Sequence, residues 1–550
     1  MALSSPMTLA DAMLAAFKAR GVARIFGVPG GDSSLDLIAA AGRQGVDFVL
    51  TRGETAAAIM AAVTAELTGA PGVVLTGIGP GAASAVNGVA YAALERAPLV
   101  LITDAREVES GGRMPPHQVF DQPALFAPIT KAARRLRPED GIDVLEDLLD
   151  LALDEPKGPV HLDLSAEAAG SVAGAPVGTA ISGASRPPRA AAREGVTGDR
   201  AAAEKLLAAS RRPAILAGTQ ARAPGVAAPL RRFAEQLRCP VLTSYKAKGV
   251  LADDHPGVVG HFTGARAEFD VLAGADLLIA VGLDPVEVIP APWLAKAPLI
   301  ALSRHPGPEF PTAPAARLLG PLIDGLAQLA GAAAPSDWTQ AEIAALRERL
   351  RAALRLEGEG HTAESLIRAA LAAVRAADAP RPRLTVDAGA HMFSPMALWP
   401  AEAPNDVLKS NGLSTMGFAL PAAIASSLAE PSRPVLAVTG DGGLLMCLAE
   451  LSTAARLGCR LCVLVLNDAA LSLIDVKQQR QQRPPEGVRT PPVDFAAAAR
   501  GLGCRAWSVG AGEPLEPALG AAFAEAGPTL IDVTTDPGGY GAQLAALRGG

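Results

Sequence analysis

Asp441 and Asp468 stand 27 positions apart in one stretch of the chain. The first lies in Gly440-Asp441-Gly442-Gly443, and the second closes the pair Asn467-Asp468. A segment with helical spacing and a short apolar run separate them. Two carboxylates are hard oxygen ligands, and glycines beside the first let backbone N–H groups approach an anion. The chemistry such a set offers is the holding of a divalent cation, naturally Mg2+, bridged to a diphosphate. A plain strand–turn–helix with no metal is the other reading of the same residues.

The elements that would position this pair follow from the flanking residues. Residues 434–439 (PVLAVT) form a short apolar run, as expected of a strand buried on both faces. Residues 444–457 then run with helical spacing, so a helix N-terminus faces the strand end and favours an anion. Residues 461–466 (LCVLVL) make the next buried strand and deliver Asn467 and Asp468 to the same edge. Ligands of open parallel sheets bind outside that edge. A third carboxyl lies far away in the chain. Glu54, in Leu50-Thr51-Arg52-Gly53-Glu54-Thr55-Ala56-Ala57, follows a strand-like run and opens an alanine-rich helix. Burial among alanines pushes a carboxyl toward its protonated form, as a general acid requires. A glutamate serving only the helix dipole would sit at the same place.

The whole chain bounds these readings. At 550 residues it is too long for one core, and three or four domains are expected. Apolar residues make up 49% and charged residues 19%, below the usual ~25%, as suits a large α/β enzyme with much buried surface. A net charge of −7 argues against nucleic acid as a partner. No apolar run reaches the ~18 residues of a membrane span. Asp11 and Lys18 interrupt the apolar N-terminus, which reads as a helix with a Thr8-x-x-Asp11 cap and a stop at Gly21 rather than a signal peptide. Five cysteines fit a reducing compartment, and cytoplasm is the expected location. Cys459 and Cys462 have CxxC spacing but lack a second pair or a nearby His, so no redox or zinc role is read there.

Strand-like and helical runs alternate throughout, which predicts an α/β protein of three Rossmann-like, doubly wound parallel-sheet domains. The first spans 1–169. Residues 170–193, rich in Gly, Ala, Ser and Pro, read as a linker. The second spans 198–331, with strand-like runs at 213–217, 240–243 and 277–281. A break at 332–337 precedes an amphipathic helix at 341–356, and the third domain spans 362–550.

The segment from Gly440 to Ile474 resembles the thiamine diphosphate (ThDP) motif, written GDG, a spacer, then NN. Over nearly its whole length the chain resembles the ThDP-dependent 2-oxo acid decarboxylase and carboligase family. That resemblance implies a pyrimidine-binding domain at 1–169, a central domain at 198–331 and a diphosphate-binding domain at 362–550. It implies ThDP and Mg2+ as cofactors. The metal ligands would be Asp441, Asp468 and the carbonyl of Ala470, with Gly440, Gly442, Gly443 and Leu471 against the cofactor. Asp468 replaces the usual second Asn, as in the catabolic acetolactate synthases. The Glu54 segment resembles the family's catalytic glutamate, with Gly53 where His is common. In the family this carboxyl serves N1′ of the aminopyrimidine, whose imino group takes the proton from thiazolium C2. The resulting carbanion attacks a 2-oxo acid.

Other loops carry the resemblance further. Gly79-Pro80-Gly81-Ala82 resembles the GPG turn beside the aminopyrimidine, with Pro80 in contact, and Ser84 stands where acetohydroxyacid synthases place Asn. Gln118-Val119-Phe120-Asp121-Gln122 resembles the FQExDQ segment, whose first Gln faces the reacting centre; His117 replaces the usual Phe. Both Gln118 and His117 also read as ordinary loop residues. Asp387-Ala388-Gly389-Ala390-His391 resembles the first diphosphate loop, with the N–H groups of Ala390 and His391 on phosphate oxygens; His391 also reads as a cap. Gly412-Leu413-Ser414-Thr415-Met416-Gly417-Phe418 resembles the GLGTMGF loop of acetolactate synthases. There Ser414 borders the cofactor and Met416 wedges between its rings, a proximity device. Core filling is the alternative use of Met416.

Val28-Pro29-Gly30-Gly31 resembles the YPGG of acetolactate synthases, and Gly31 leaves room for a second substrate. The substrate pocket implied is Gly31, His117, Gln118, Leu473 and Lys477. Lys477 replaces a pocket Trp and would meet a carboxylate, or else is a solvated helix lysine. Gly282-Leu283-Asp284-Pro285-Val286-Glu287 stands where acetohydroxyacid synthases carry GARFDDR; the Arg is missing, which puts FAD in doubt. The resemblance thus implies decarboxylation of a small 2-oxo acid with transfer of the acyl carbanion to a carbonyl acceptor. A simple decarboxylase of benzoylformate type is the alternative. A non-catalytic ThDP-binding paralogue would be expected to lack the carboxylate that Glu54 supplies, and an oxidase-like branch needs a flavin. Because Glu54 and Asp441 fall in different segments, the family pattern implies a homodimer or homotetramer with active sites between subunits.

Overall fold

The computed structural model describes residues 7–106, 117–173, 195–307, 309–376 and 380–548. Residues 174–193 of the linker read above lie outside the described residues.

Among the described residues, nineteen strands form three sheets. The first holds β1 (Arg24–Val28), β2 (Asp47–Leu50), β3 (Gly72–Thr76), β4 (Leu99–Ala105), β5 (Ala133–Leu136) and β6 (Pro159–Ser165). Their order is β2-β1-β3-β4-β6-β5, all parallel. Every residue of β3, β4 and β6 is buried; residues 72–75 of β3 and 99–102 of β4 are apolar runs for that reason, while Thr103, Asp104, His161 and Asp163 are polar residues buried in β4 and β6. The helix Leu9–Ala19 lies against this core and opens with the Thr8–Asp11 capping box expected from the sequence.

The second sheet holds β7 (Thr197–Gly198), β8 (Pro213–Ala217), β9 (Val241–Thr243), β10 (Val258–His261), β11 (Leu277–Val281), β12 (Leu299–Ser303) and β13 (Ala316–Leu319). Its order is β10-β9-β8-β11-β12-β13-β7, and only β7 runs antiparallel to its neighbour. The helix Gln340–Ala353 places Ile343, Leu346 and Leu350 in this sheet's core.

The third sheet holds β14 (Arg383–Val386), β15 (Val407–Lys409), β16 (Val435–Gly440), β17 (Leu461–Asn467), β18 (Arg505–Val509) and β19 (Thr529–Thr534). Its order, β15-β14-β16-β17-β19-β18, repeats the winding of the first sheet. The chain leaves β14 toward β15 on one side and toward β16 on the other. Such a reversal opens a crevice at the carboxyl ends of the strands. Val438 and Leu464 are fully buried under it, each worth roughly 1.5–3 kcal/mol of burial.

Two compact units divide the chain. One contains Met1–Ala190 together with Leu420–Ser432 and Cys447–Cys459; the other contains Ala191–Ala419, Arg433–Met446 and Arg460–Gly550. The first unit carries the first sheet and two later segments, and the second unit carries the other two sheets. Residues 444–457 are not the continuous helix expected. A short helix, Asp441–Leu445, stops, turns form at 446–449, and a second helix, Glu450–Arg456, begins. The break lies at the boundary between the units, so the two halves of this apolar run belong to different units.

Candidate active site

The crevice of the third sheet collects the last-segment residues. Parallel pairing sets Gly440 beside Leu466, so the chain leaves β16 and β17 together and Asp441 and Asp468 emerge at one edge. Asp441 is the first residue of its helix and is buried. Asp468 accepts hydrogen bonds from the Ala470 amide at 3.2 Å and the Ser472 hydroxyl at 2.5 Å. Burial raises both carboxyls above their ordinary range, Asp468 to about 6, and the charge of Asp441 adds to the rise at Asp468. Two such carboxylates facing one another are relieved by a shared cation.

The cavity beside them has a volume of about 280 Å3. Gly389, Ala390 and His391 line one wall, Ser414 and Met416 a second, and Gly440 to Gly443 the floor. Asp468, Ala470, Leu471 and Leu473 close the remaining side. His391 is buried with no partner for Nε2 among the described residues. Burial, and then the nearby Lys409, pull its imidazole down to about 4, so it is neutral at neutral pH. A Cβ on Gly442 would come within 2.7 Å of Leu471 Cδ2. These residues fit a diphosphate with its cation: two carboxylates for the metal, a neutral imidazole nitrogen without a partner, and a glycine floor. Among the described residues no three His, Cys, Asp or Glu side chains gather as a metal cluster, so such a cation would draw further ligands from a carbonyl and the diphosphate itself.

Three residues at or beside this cavity escaped the sequence reading in part or whole. Asp387 heads the first loop, but its side chain is the brace of the site. Its Oδ2 accepts from the Gly417 amide at 3.1 Å and the Thr439 hydroxyl at 3.0 Å, and its Oδ1 from the amides of Phe418 and Ala388 at 3.2 and 2.9 Å. It thereby ties the Met416 loop to the end of β16. A Cβ on Gly443 would sit 2.5 Å from Asp387 Oδ2. Tyr540 lines the cavity from the start of the C-terminal helix Tyr540–Arg548. Burial, with Asp468 and Asp441 nearby, pushes its phenol up and keeps it neutral. No local motif marks it, because it comes from a distant helix. Ser472 lay within the matched segment but carried no assigned role.

Glu54 belongs to the other unit. It is the first residue of the helix Glu54–Thr68 after β2, is half-buried, and has a carboxyl raised by burial. Gly53, the residue before it, has no side chain with which to cap this helix. Glu450 instead braces the two residues that lead into the helix. Its Oε1 takes the amides of Arg52 at 2.8 Å and Gly53 at 3.1 Å. Ser452 and Arg456, on the same helix, bind Arg52 Nε at 2.9 Å and the Leu50 carbonyl at 2.5 Å. The signal for Glu450 was a lone acid inside an apolar run.

The residues 79–82 are not a free turn: Pro80 is the first residue of the helix Pro80–Leu94. A Cβ on Gly81 would lie 3.3 Å from Glu54 Oε1, so this helix start packs on the carboxyl. Gly79 has φ 66°, and a Cβ there would come 2.3 Å from the Gln118 carbonyl oxygen; both facts demand glycine. Gln118 itself has φ 64°. Gln118 and His117 are exposed on this unit, and Gly31 is exposed with nothing within 4 Å of a built Cβ. Lys477 is exposed on the helix Ser472–Arg480 and does not line the cavity. Lys477 is thus not part of the lining that includes Leu473, while Gly31, His117 and Gln118 belong to the other unit. The acids at 284 and 287 act as internal braces: Glu287 is buried and accepts from the Ser244 hydroxyl and the amides of Thr219 and Asp284. The thiols of Cys459 and Cys462 are free and buried, pushed by burial up to about 11 and about 12.

Comparison with known proteins agrees with this geometry. Residues 7–125 match the N-terminal TPP binding domain of thiamine pyrophosphate enzymes, 200–308 the central domain, and 387–533 the C-terminal TPP binding domain. The chain belongs to the thiamine pyrophosphate enzymes. A probable 2-ketoarginine decarboxylase of Pseudomonas aeruginosa is 32% identical over 96% of this chain and 94% of the relative. The catabolic acetolactate synthase of Raoultella terrigena is 30% identical over 96% of this chain and 95% of its own length. An acetolactate synthase of Bacillus subtilis is 26% identical over 94% and 91%. Within the family the chain is therefore an enzyme of the decarboxylase and carboligase type. Among the described residues no helix is long and apolar enough to cross a membrane.

Proposed function

We propose that the protein decarboxylates a small 2-oxo acid with ThDP and Mg2+ and passes the acyl group to a carbonyl acceptor, as an acetolactate synthase does. The observation that carries this reading is the pair of carboxylates, Asp441 buried and Asp468 half-buried, at adjacent strand ends beside a cavity of about 280 Å3. In this proposal Asp441, Asp468 and the Ala470 carbonyl hold Mg2+. The loop at Gly389–His391 and the glycine floor take the diphosphate, and Met416 shapes the ring site. When bound, ThDP supplies a nucleophilic carbon and an electron sink for the loss of CO2. Burial raises the Glu54 carboxyl, and in this proposal it would hold the proton that serves the cofactor's N1′. Gln118 donates to a substrate oxygen. The residues 1–169, 198–331 and 362–550 serve as pyrimidine, central and diphosphate domains. Glu54 of one copy works at the Asp441–Asp468 cavity of another, in a homodimer or homotetramer in the cytoplasm.

Calorimetry with ThDP, with and without Mg2+, tests the cofactor assignment; no metal-dependent uptake defeats it. CO2 release from a panel of 2-oxo acids then finds the substrate. A second reading, simple decarboxylation to an aldehyde, is favoured by the relative named as a 2-ketoarginine decarboxylase and by the exposure of Lys477 away from the cavity. Product analysis separates the two. Pyruvate turned over to acetolactate supports carboligation; an aldehyde as the sole product supports the second reading.

A further inference from the structure

We infer that Gln122 is a positioning residue that locks the helix start at Gly79–Gly81, beside Glu54, to the segment carrying Gln118. The inference rests on the proposed role of Glu54 in activating the cofactor. Gln122 is 2% exposed and begins the short helix Gln122–Phe126. Its Oε1 accepts from the Gly79 amide at 2.8 Å. Its Nε2 donates to Asp163 Oδ1 at 2.8 Å and the Asp104 carbonyl at 3.1 Å, and faces Thr103 Oγ1 at 3.3 Å. Thr103 gives its own proton to Asp163 Oδ1 at 2.5 Å, which leaves its oxygen to accept. Arg135 holds the other Asp163 oxygen at 3.1 Å. Burial works to raise the Asp163 carboxyl, but His161, Thr103 and Gln122 hold it below its ordinary range, so it stays an acceptor. Three acceptors on one side and one donor on the other fix which way the amide points, since a primary amide carries two donors and one acceptor oxygen.

The consequence falls on the Glu54 face. Gly79 is the N-cap of its helix and has no side chain to satisfy that end. One side of it meets the Gln118 carbonyl, and its N–H is fixed by Gln122, four residues further along the same segment. Two residues later, Gly81 packs on Glu54 Oε1. Gln118, in the left-handed region at φ 64°, is a non-glycine conformation that persists only where surroundings impose it. Gln122 thus sets the distance between Gln118 and Glu54 without reaching substrate or cofactor.

The test uses the full chain with ThDP and Mg2+. It measures hydrogen–deuterium exchange at the cofactor's C2 by quench and NMR, with kcat, KM, cofactor affinity and melting temperature alongside. Gln122→Met keeps the side-chain length and removes all four contacts. Exchange and kcat should fall by about tenfold, a misplacement of order 1 Å being worth up to ~100-fold, while cofactor affinity is unchanged. Gln122→Glu keeps the acceptor for Gly79 and should recover part of the rate. Thr103→Val removes the most distant of the acceptors facing Gln122 Nε2 but leaves the Asp163, Asp104 and Gly79 bonds of Gln122 in place, and should exchange near the wild-type rate. Wild-type exchange in Gln122→Met beside slow exchange in Glu54→Gln overturns this inference alone. Wild-type exchange in Glu54→Gln overturns the Glu54 role and this inference with it. If Gln122→Met does not fold, exchange in Gln122→Glu equal to that in Thr103→Val overturns the inference, as does lost cofactor affinity in Gln122→Glu; slower exchange in Gln122→Glu than in Thr103→Val at unchanged affinity supports it.

Discussion

Glu54→Gln separates function from structure. The wild-type carboxyl sits at the first position of its helix, half-buried, and no side chain of the described residues is hydrogen-bonded to it. Losing a charge at a helix N-terminus forfeits about 0.3–1 kcal/mol. Burial acts the other way, because it disfavours the charged form that the amide removes. The two terms oppose each other, so stability should change by less than about 1 kcal/mol. In the role proposed for Glu54, turnover depends on the proton this group carries, and a positioned acid or base contributes about 10²–10⁴ in rate. That corresponds to ~3–5 kcal/mol of barrier. The pH dependence has a definite sign. A carboxyl raised in the folded state contributes stability present below its unfolded pKa and lost as pH rises through the folded value. The protonated form is also the active one, so wild-type turnover should fall across that same rise, and the stability gap between wild type and variant should shift in the variant's favour. Urea unfolding, calorimetric ThDP affinity and turnover on the best 2-oxo acid, each across pH, are the assays. A variant within tenfold of wild-type turnover, or one less stable by more than ~2 kcal/mol, would refute the reasoning.

Three further outcomes follow from the same geometry. Asp468→Ala removes one of the two carboxylates at the strand ends and should weaken Mg2+-dependent ThDP binding by at least ~100-fold in calorimetry, since even outer-shell losses cost 10–100-fold. Glu450→Ala leaves the Arg52 and Gly53 amides without their acceptor and should cost about 2–4 kcal/mol by urea unfolding, whereas Glu450→Gln, which retains an oxygen there, should cost less. Gly443→Ala drives a methyl to 2.5 Å from Asp387 Oδ2; overpacking of this kind costs about 1–3 kcal/mol and should lower ThDP affinity, because Asp387 braces the Met416 loop.

What the sequence determined by itself was local and periodic. Buried parallel strands announce themselves as apolar runs, so β16 and β17 were legible, and with them the common edge that carries Asp441 and Asp468. The Thr8–Asp11 cap and the glycine-flanked Glu54 helix start were legible for the same reason, since each is set by a few neighbouring residues. Only the tertiary structure decided which distant groups complete these pieces. The apolar run at 444–457 reads as one helix because its spacing is helical throughout, yet it breaks and its two halves belong to different units. Glu450 and Gln122 serve the backbone amides of residues nearly 400 and 43 positions away, and Tyr540 reaches the aspartates from the C-terminal helix. A buried N–H must find an acceptor wherever packing supplies one, and no periodicity along a chain records where that acceptor lies.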